Sequence, residues 1–419
     1  MTDSYETLMT GREESRCEQS RRSFVRAFGS ATVGVVLGGE ALCRAPMAQS
    51  PRRLTLYVGI YTTGTTDAAG DNRQSEGIYS YRLHLDSGRL EKLGVTGGVV
   101  NPSFLALAPG GRYLYAVNEV EEFGGQPTGA VSAFAVDRRR AELRLLNREP
   151  SHGGAPCYVT IDRTGRFALV ANYSGGSVSV LPLGRDGRLG AATDLSRHSG
   201  SGPNAERQQA PHAHCIVLDP LNRYAFAADL GADRLVCYRF DARRGKLAPA
   251  AEPWVKTAPG AGPRHFAFHP GGKLAYLVNE LDSSVTALSY DGTRGRLRPF
   301  QTIGTLPADY SGENTCADIH VSPSGRFLYV SNRGHDSLAC YAIARRGGRL
   351  SLIEHVSTRG RTPRNFAIDP TGRFLLAANQ NSHNIVVFRL DSRTGRLSPT
   401  GHETEVPSPV CLKFAPTVG

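Results

Sequence analysis

Six times along the chain the same phrase returns. An apolar segment led by Pro (by Ala317 in one copy) is followed by a turn built mostly on Gly-Arg, a second apolar segment and a closing polar residue. The copies run Pro102…Gly111-Arg112…Asn118, Pro156…Gly165-Arg166…Asn172, Pro211…Asn222-Arg223…Asp229, Pro263…Gly272-Lys273…Asn279, Ala317…Gly325-Arg326…Asn332 and Pro363…Gly372-Arg373…Asn379. Their closing residues lie 54, 57, 50, 53 and 47 positions apart, a mean of about 52. A repeat of that period is a unit that cannot bury its own apolar faces and must stack on copies of itself.

A second turn keeps step with the first. Gly-Arg/Lys-Leu stands at 88–90, 187–189, 245–247, 295–297, 348–350 and 395–397, with Ala141-Glu142-Leu143 in the remaining slot, which makes seven units. Each unit holds four short runs of β-branched and aromatic residues, such as Tyr113–Val117, Val131–Val136 and Phe327–Val330, with no helical period between them. Four antiparallel strands per unit in radial repetition predict an all-β, seven-bladed β-propeller; a linear solenoid would need capping ends. Here the ends complement each other. Ser408–Pro416 reads as an inner strand without its partner, and Arg53–Gly59 as a second strand without its predecessor. One strand from the C-terminus and three from the N-terminus should therefore share the closing blade of a propeller domain over residues 51–419.

Residues 1–50 read as an address. Ser20-Arg21-Arg22-Ser23-Phe24-Val25-Arg26 precedes the weakly apolar run Ala27–Gly39, and the pair resembles a twin-arginine export signal. The expected partner is the twin-arginine export machinery, and the expected location is periplasmic or extracellular; a misread leader would leave the protein cytoplasmic. The run is too short to span a bilayer, so no stable membrane insertion is expected. Of 8 cysteines none forms a CxxC pair, and Cys237 and Cys340 occupy one slot of the repeat two units apart. They read as small buried hydrophobes, with no disulfide expected. Of 49 basic residues 44 are Arg, against 38 acidic ones, yet Arg138-Arg139-Arg140 is the one run of three, so no nucleic-acid partner is expected.

In antiparallel blades the turns from first to second and from third to fourth strand share one face. They carry Arg112, Arg166, Arg223, Lys273, Arg326, Arg373, Arg89, Arg188, Lys246, Arg296, Arg349 and Arg396, which outnumber the whole net charge of +11 and read as solvated turns. The opposite face differs in kind. Inner-strand starts bring His212, His214, Arg264, His265, Asp318, His320 and Arg364 there, and second-strand ends bring Glu119, Tyr173, Asp229, Glu280, Arg333 and Gln380. Imidazoles, guanidiniums and carboxylates around one channel mouth suit an anionic, oxygen-rich ligand. The Asn/Asp series at 118, 172, 229, 279, 332 and 379 recurs in six units and reads as mostly structural, bonding backbone in the loop after the second strand. Chemistry should fall where units differ: His212 and His214 on one side of a strand, Glu280 and Arg333. The two imidazoles would also suit a metal, but no third ligand stands out and the arginines would repel a cation, so no metal or other cofactor is expected.

The motifs Pro211-His212-Ala213-His214, Asp229-Leu230-Gly231, Gly262-Pro263-Arg264-His265, Asn279-Glu280-Leu281, Asp318-Ile319-His320, Ser331-Asn332-Arg333-Gly334-His335-Asp336, Pro363-Arg364-Asn365-Phe366 and Ala378-Asn379-Gln380-Asn381 resemble, in order, the propeller lactonase family. That family includes propeller-type 6-phosphogluconolactonases and a fungal carboxymuconate cyclase. The resemblance spans about residues 54–416 and implies a seven-bladed propeller that hydrolyses a small-molecule sugar lactone. It implies a catalytic set of His214 (or His212), Arg264, Glu280 and Arg333. Glu280 or His214 would be the base, and the two arginines would hold the oxyanion and a substrate anion. His212, His265, Asp229, His320, His335, Arg364 and Gln380 complete the expected substrate-binding lining. A non-catalytic envelope propeller binding a sugar or protein partner, and a muconate-type lactonising cyclase, are the competing readings.

Overall fold

The computed structural model describes residues 52–63 and 76–416; the leader reading for residues 1–50 lies outside the described residues. Seven four-stranded antiparallel sheets form the seven blades of a β-propeller. Blades are numbered here from the N-terminus and strands from the channel outward. Blade 1 consists of Pro409–Phe414, Arg53–Ile60, Gly77–His84 and Leu90–Gly97, so the two chain ends share it as the sequence predicts. The junction is an antiparallel ladder pairing Leu56 with Phe414, Tyr57 with Lys413 and Val58 with Leu412. The inner strands of blades 2 to 7 are Leu105–Leu107, Pro156–Ile161, Ala213–Leu218, Pro263–Phe268, Thr315–Val321 and Pro363–Ile368.

Burial explains the wording of the repeat. Second strands such as Phe167–Asn172 and Phe374–Asn379 are buried at every position. Neighbouring blades cover both of their faces, so polar alternation vanishes and Ala recurs where blades approach, as in Ala225-Phe226-Ala227-Ala228. The core is accordingly a set of layers between blades. Leu54, Leu56 and Val58 of blade 1 meet Phe374, Leu376 and Val387 of blade 7, and Val285 and Ala287 of blade 5 meet Leu328, Val330 and Tyr341 of blade 6.

The recurring Gly-Arg-Leu turns fasten one blade to the last. Gly187, Gly348 and Gly395 have φ of +82°, +67° and +76°. Their carbonyls accept the hydroxyls of Tyr115, Tyr276 and Tyr329 at 3.0, 3.0 and 2.8 Å. A Cβ on Gly187 would stand 2.2 Å from the Tyr113 ring, so both the backbone angle and the close approach demand glycine there. The neighbouring bases do more than solvate turns. Arg188 Nη1 donates to Leu146 O at 2.7 Å, and Arg166, Arg223, Arg326 and Lys246 likewise reach carbonyls of an adjacent blade.

The closing asparagines are structural, with a different partner from the one expected. Asn118, Asn172, Asn332 and Asn379 donate through Nδ2 to Val100 O, Ser151 O, Thr305 O and Thr358 O at 2.7, 3.1, 2.9 and 3.1 Å. Those carbonyls lie in the connection that enters each blade, not in the loop after the second strand. The connection crosses the end of the second strand on its way to the channel, where it has no ladder to satisfy it. The six described cysteines are all buried free thiols. No helix among the described residues is long and apolar enough to cross a membrane.

Because blade 1 holds the ring closed, damage to its C-terminal strand should be felt by the whole fold. Leu412 is 2 % exposed, and Leu412→Ala is expected to cost about 2–5 kcal/mol. Urea unfolding followed by far-UV circular dichroism and by tyrosine fluorescence should show one transition moved to lower urea by both probes. Separate melting of blade 1 would contradict this.

Candidate active site

Inner strands start, and second strands end, on the face opposite the basic turns. The channel mouth on that face carries two layers of polar groups.

The outer layer centres on Glu280, the residue after the closing Asn279 of the second strand of blade 5. Its side chain is 4 % exposed and meets three guanidiniums. Arg264 Nε and Arg333 Nη2 lie 2.8 and 3.0 Å from Oε2, and Arg207 Nη2 lies 2.7 Å from Oε1. Arg264 Nη1 also donates to Ala317 O at 2.5 Å, and Arg333 Nη2 to Cys316 O at 3.0 Å, so both are fixed to the inner strand of blade 6. Burial alone would raise the Glu280 carboxyl, but Arg333, Arg264 and Arg207 outweigh it and hold it at about 2. Burial lowers Arg333 to about 10, which leaves it charged at neutral pH.

Around the rim, Arg364 Nη2 donates to Tyr61 OH at 2.8 Å, and Tyr61 OH donates to Glu119 Oε1 at 2.9 Å. Ser103 Oγ occupies the other oxygen of Glu119. The His212 ring stacks on Tyr173 with centroids 4.5 Å apart, and its Nδ1 lies 3.1 Å from the Tyr173 carbonyl. A carbonyl only accepts, so in the neutral ring Nδ1 carries the proton and Nε2 the lone pair.

The inner layer lines the channel. Phe104 of blade 2 stacks on Tyr158 of blade 3 at 4.1 Å, and His265 of blade 5 meets both rings edge-on at 5.9 and 5.4 Å. Lys413 of blade 1 stands 4.3 Å over Phe104. His214 lies edge-on to His265 at 5.3 Å, with Nδ1 3.7 Å from the Cys157 thiol. Asp318 bridges His265 Nδ1 at 2.7 Å and His320 Nε2 at 2.9 Å, and also accepts Asn365 Nδ2. Burial, helped by Arg264, pushes His265 down to about 4 against the pull of Asp318. Burial and the same arginine keep His214 well below the ordinary imidazole range. Both rings are therefore neutral at neutral pH.

The fold thus brings together His212, His214, Arg264, His265, Glu280, His320, Arg333 and Arg364 of the expected set, with His320 at the inner level. Two others stand apart. Asp229 is fully buried, and its carboxylate takes His198 Nδ1 at 2.5 Å and the backbone N–H groups of His212 and Ala232. Lacking the donor of the asparagines it replaces, it gathers N–H groups instead. His335 is turned outward after Gly334 (φ +120°), with Nδ1 2.6 Å from Ser337 Oγ and its ring edge-on to Tyr310 and His355. Gln380 follows the closing Asn379 of blade 7, the slot that Glu280 and Arg333 take in blades 5 and 6; it is half-buried, and its backbone N–H donates to Thr362 O. Sequence reasoning missed Arg207, although its connection, residues 198–212, is the longest of those between an outer strand and the next inner strand. Tyr61, Ser103 and Cys157 were also missed, since nothing in the period distinguishes them. Among the described residues no group of three His, Cys, Asp or Glu side chains is arranged to hold a metal ion.

Comparison with known proteins agrees with this geometry. The family model described as lactonase, 7-bladed beta-propeller, matches residues 55–414. A protein of Bacillus subtilis named 6-phosphogluconolactonase is 39 % identical over 85 % of this chain and 97 % of its own length. One of the same name from Formosa agariphila is 36 % identical over 75 % of this chain and 86 % of its own. The solved structure of a periplasmic gluconolactonase of Pseudomonas aeruginosa superposes with a TM-score of 0.80 at 36 % identity, covering 87 % of this chain and 99 % of that one. With fold, ordered motifs and matched length in agreement, the chain belongs to the seven-bladed β-propeller lactonase family.

Proposed function

We propose that this chain hydrolyses a sugar lactone at the outer layer of the channel mouth, with His212 as the general base. The observation that carries the reading is the fixed tautomer of His212: its Nδ1–H is held by the Tyr173 carbonyl, which leaves Nε2 as acceptor on a ring stacked on Tyr173, whose hydroxyl Arg207 meets at 3.3 Å. Nε2 takes a proton from water as the water oxygen attacks the lactone carbonyl. The tetrahedral oxyanion gains charge that Arg264 and Arg333 stabilise. The ring oxygen then leaves as an alkoxide and takes the proton from the imidazolium. The products are a hydroxy acid and, at neutral pH, one released proton.

This assignment moves the base away from Glu280 and His214. Glu280 has both oxygens engaged by guanidiniums and a proton affinity far too low for a base at neutral pH. Its part is to space the arginines and compensate their charge. His214 sits one layer deeper, facing the Cys157 thiol. Residues 1–50 fit export, and the periplasmic relative supports a lactone encountered outside the cytoplasm.

Two measurements test the reading. Hydrolysis of glucono-δ-lactone and its 6-phosphate should exceed the spontaneous rate, and His212→Gln should lower kcat by about 10²–10⁴. In Glu280→Gln the kcat/KM pH profile should keep an acid limb, and its disappearance would return the role of base to Glu280. Turnover at background on both lactones would leave the binding propeller or a muconate-type cyclase in its place.

The second concerns stability. The Glu280 carboxyl falls from its ordinary 4.5 to about 2 in the fold. A depressed carboxyl contributes stability that is complete above its unfolded value and vanishes as pH falls through its folded one. The difference in Tm between the unmodified protein and Glu280→Gln should therefore be largest above about pH 5 and shrink towards pH 2. A gap independent of pH would show that the carboxylate is not held by the three arginines.

A further inference from the structure

The connection over residues 198–212 delivers one side chain to the site, and the surrounding sequence is arranged to hold it there. Asn204 Oδ1 accepts the backbone N–H groups of Glu206 and Arg207 at 3.1 and 3.0 Å, and Gln208 N donates to Asn204 O at 2.8 Å. Gln208 is fully buried, and its Nε2 donates to Leu230 O and Asp233 Oδ1, both at 2.8 Å. A Cβ on Gly231 would stand 1.8 Å from Ala210 O, so the loop can lie on blade 4 only over a glycine. Arg207 is therefore carried on a pinned turn.

Its position in the cluster is distinct. Arg264 and Arg333 have side chains 2 % and 14 % exposed and share Oε2 of Glu280. Arg207 is 38 % exposed and approaches the other oxygen, on the side of Tyr173, whose hydroxyl its Nη2 meets at 3.3 Å. Nη2 makes both contacts, and no described residue engages Nε or Nη1, which leaves one edge of the guanidinium fork open at the rim. The mouth also has charge to spare. Four guanidiniums stand against the carboxylates of Glu280 and Glu119, whose oxygens are already occupied.

Resting on the lactonase reading above, the geometry points to Arg207 as the specificity residue that receives an anionic group carried by the substrate away from the lactone carbonyl. A phosphomonoester and a carboxylate share the required chemistry, two oxygens for one planar fork. Arg264 and Arg333 act at the carbonyl, while Arg207 on the far side of Glu280 reads the remote end.

Kinetics with three lactones test this: neutral glucono-δ-lactone, its 6-phosphate, and a glucarolactone bearing a free carboxylate. Arg207→Gln should lower kcat/KM for the anionic lactone by about 10- to 100-fold, chiefly through KM, and by at least ten times more than for the neutral one. Arg207→Lys should recover part of that ratio, since it keeps the charge and loses the fork. The larger loss on the 6-phosphate assigns a phosphomonoester, and on glucarolactone a carboxylate. An equal loss on all three would reduce Arg207 to a support for Glu280 and overturn the proposal, as would no loss. If the unmodified protein hydrolyses none of them, the lactonase reading fails by itself. Calorimetric binding of 6-phosphogluconate and inorganic phosphate then decides: at least tenfold weaker binding in Arg207→Gln sustains the anion site, and equal affinity overturns it.

Discussion

A blade of this protein is a sheet with two apolar faces, and only a neighbour on each side can cover them. All seven blades meet that condition together only if the ring closes. The C-terminal strand Pro409–Phe414 closes it by pairing with the strand that begins at Arg53. Everything at the mouth depends on that closure. Once the blades stand in a circle, each incoming connection and each second-strand end is delivered to the same rim. Tyr61 and Arg364 are 303 positions apart in sequence and share a hydrogen bond.

Within the rim the governing fact is charge compensation. A lone carboxylate at the burial of Glu280, or a lone guanidinium at that of Arg264, would be costly to keep ionised. Placed together they fix one another, and the cost falls on the carboxylate's basicity. A group so firmly held cannot exchange protons near neutrality, and the surrounding cations press the buried imidazoles towards neutrality as well. The buried groups thus divide by charge: the Glu280 carboxylate and its guanidiniums stay ionised, while the deeper rings of His214 and His265 are neutral.

How much of this was legible in the sequence follows from what repeats. The Gly-Arg/Lys-Leu turns recur because a Cβ on Gly88, Gly187, Gly245, Gly295, Gly348 or Gly395 would stand 2.2–2.8 Å from a side chain of the blade before, a demand that returns with each of these six turns. Blade number, strand number and the shared closing blade follow from such demands, as does the placing of Arg264, Glu280 and Arg333 at one mouth. Arg207 was hidden because it sits in a connection that breaks the period, where no second copy offers a contrast. Asp229 misled for the opposite reason. It occupies the repeated slot with a changed residue, which looks like chemistry and proves to be a rearranged hydrogen bond. His335 misled because a single positive-φ glycine turns the loop away from the channel.

The stack of Phe104 on Tyr158, met edge-on by His265, brings rings from blades 2, 3 and 5 together at the channel. Rings drawn from three blades can keep those distances only while the circle of blades stays closed at blade 1. The seam that holds the C-terminal strand therefore also sets the spacing of side chains contributed from the far side of the circle.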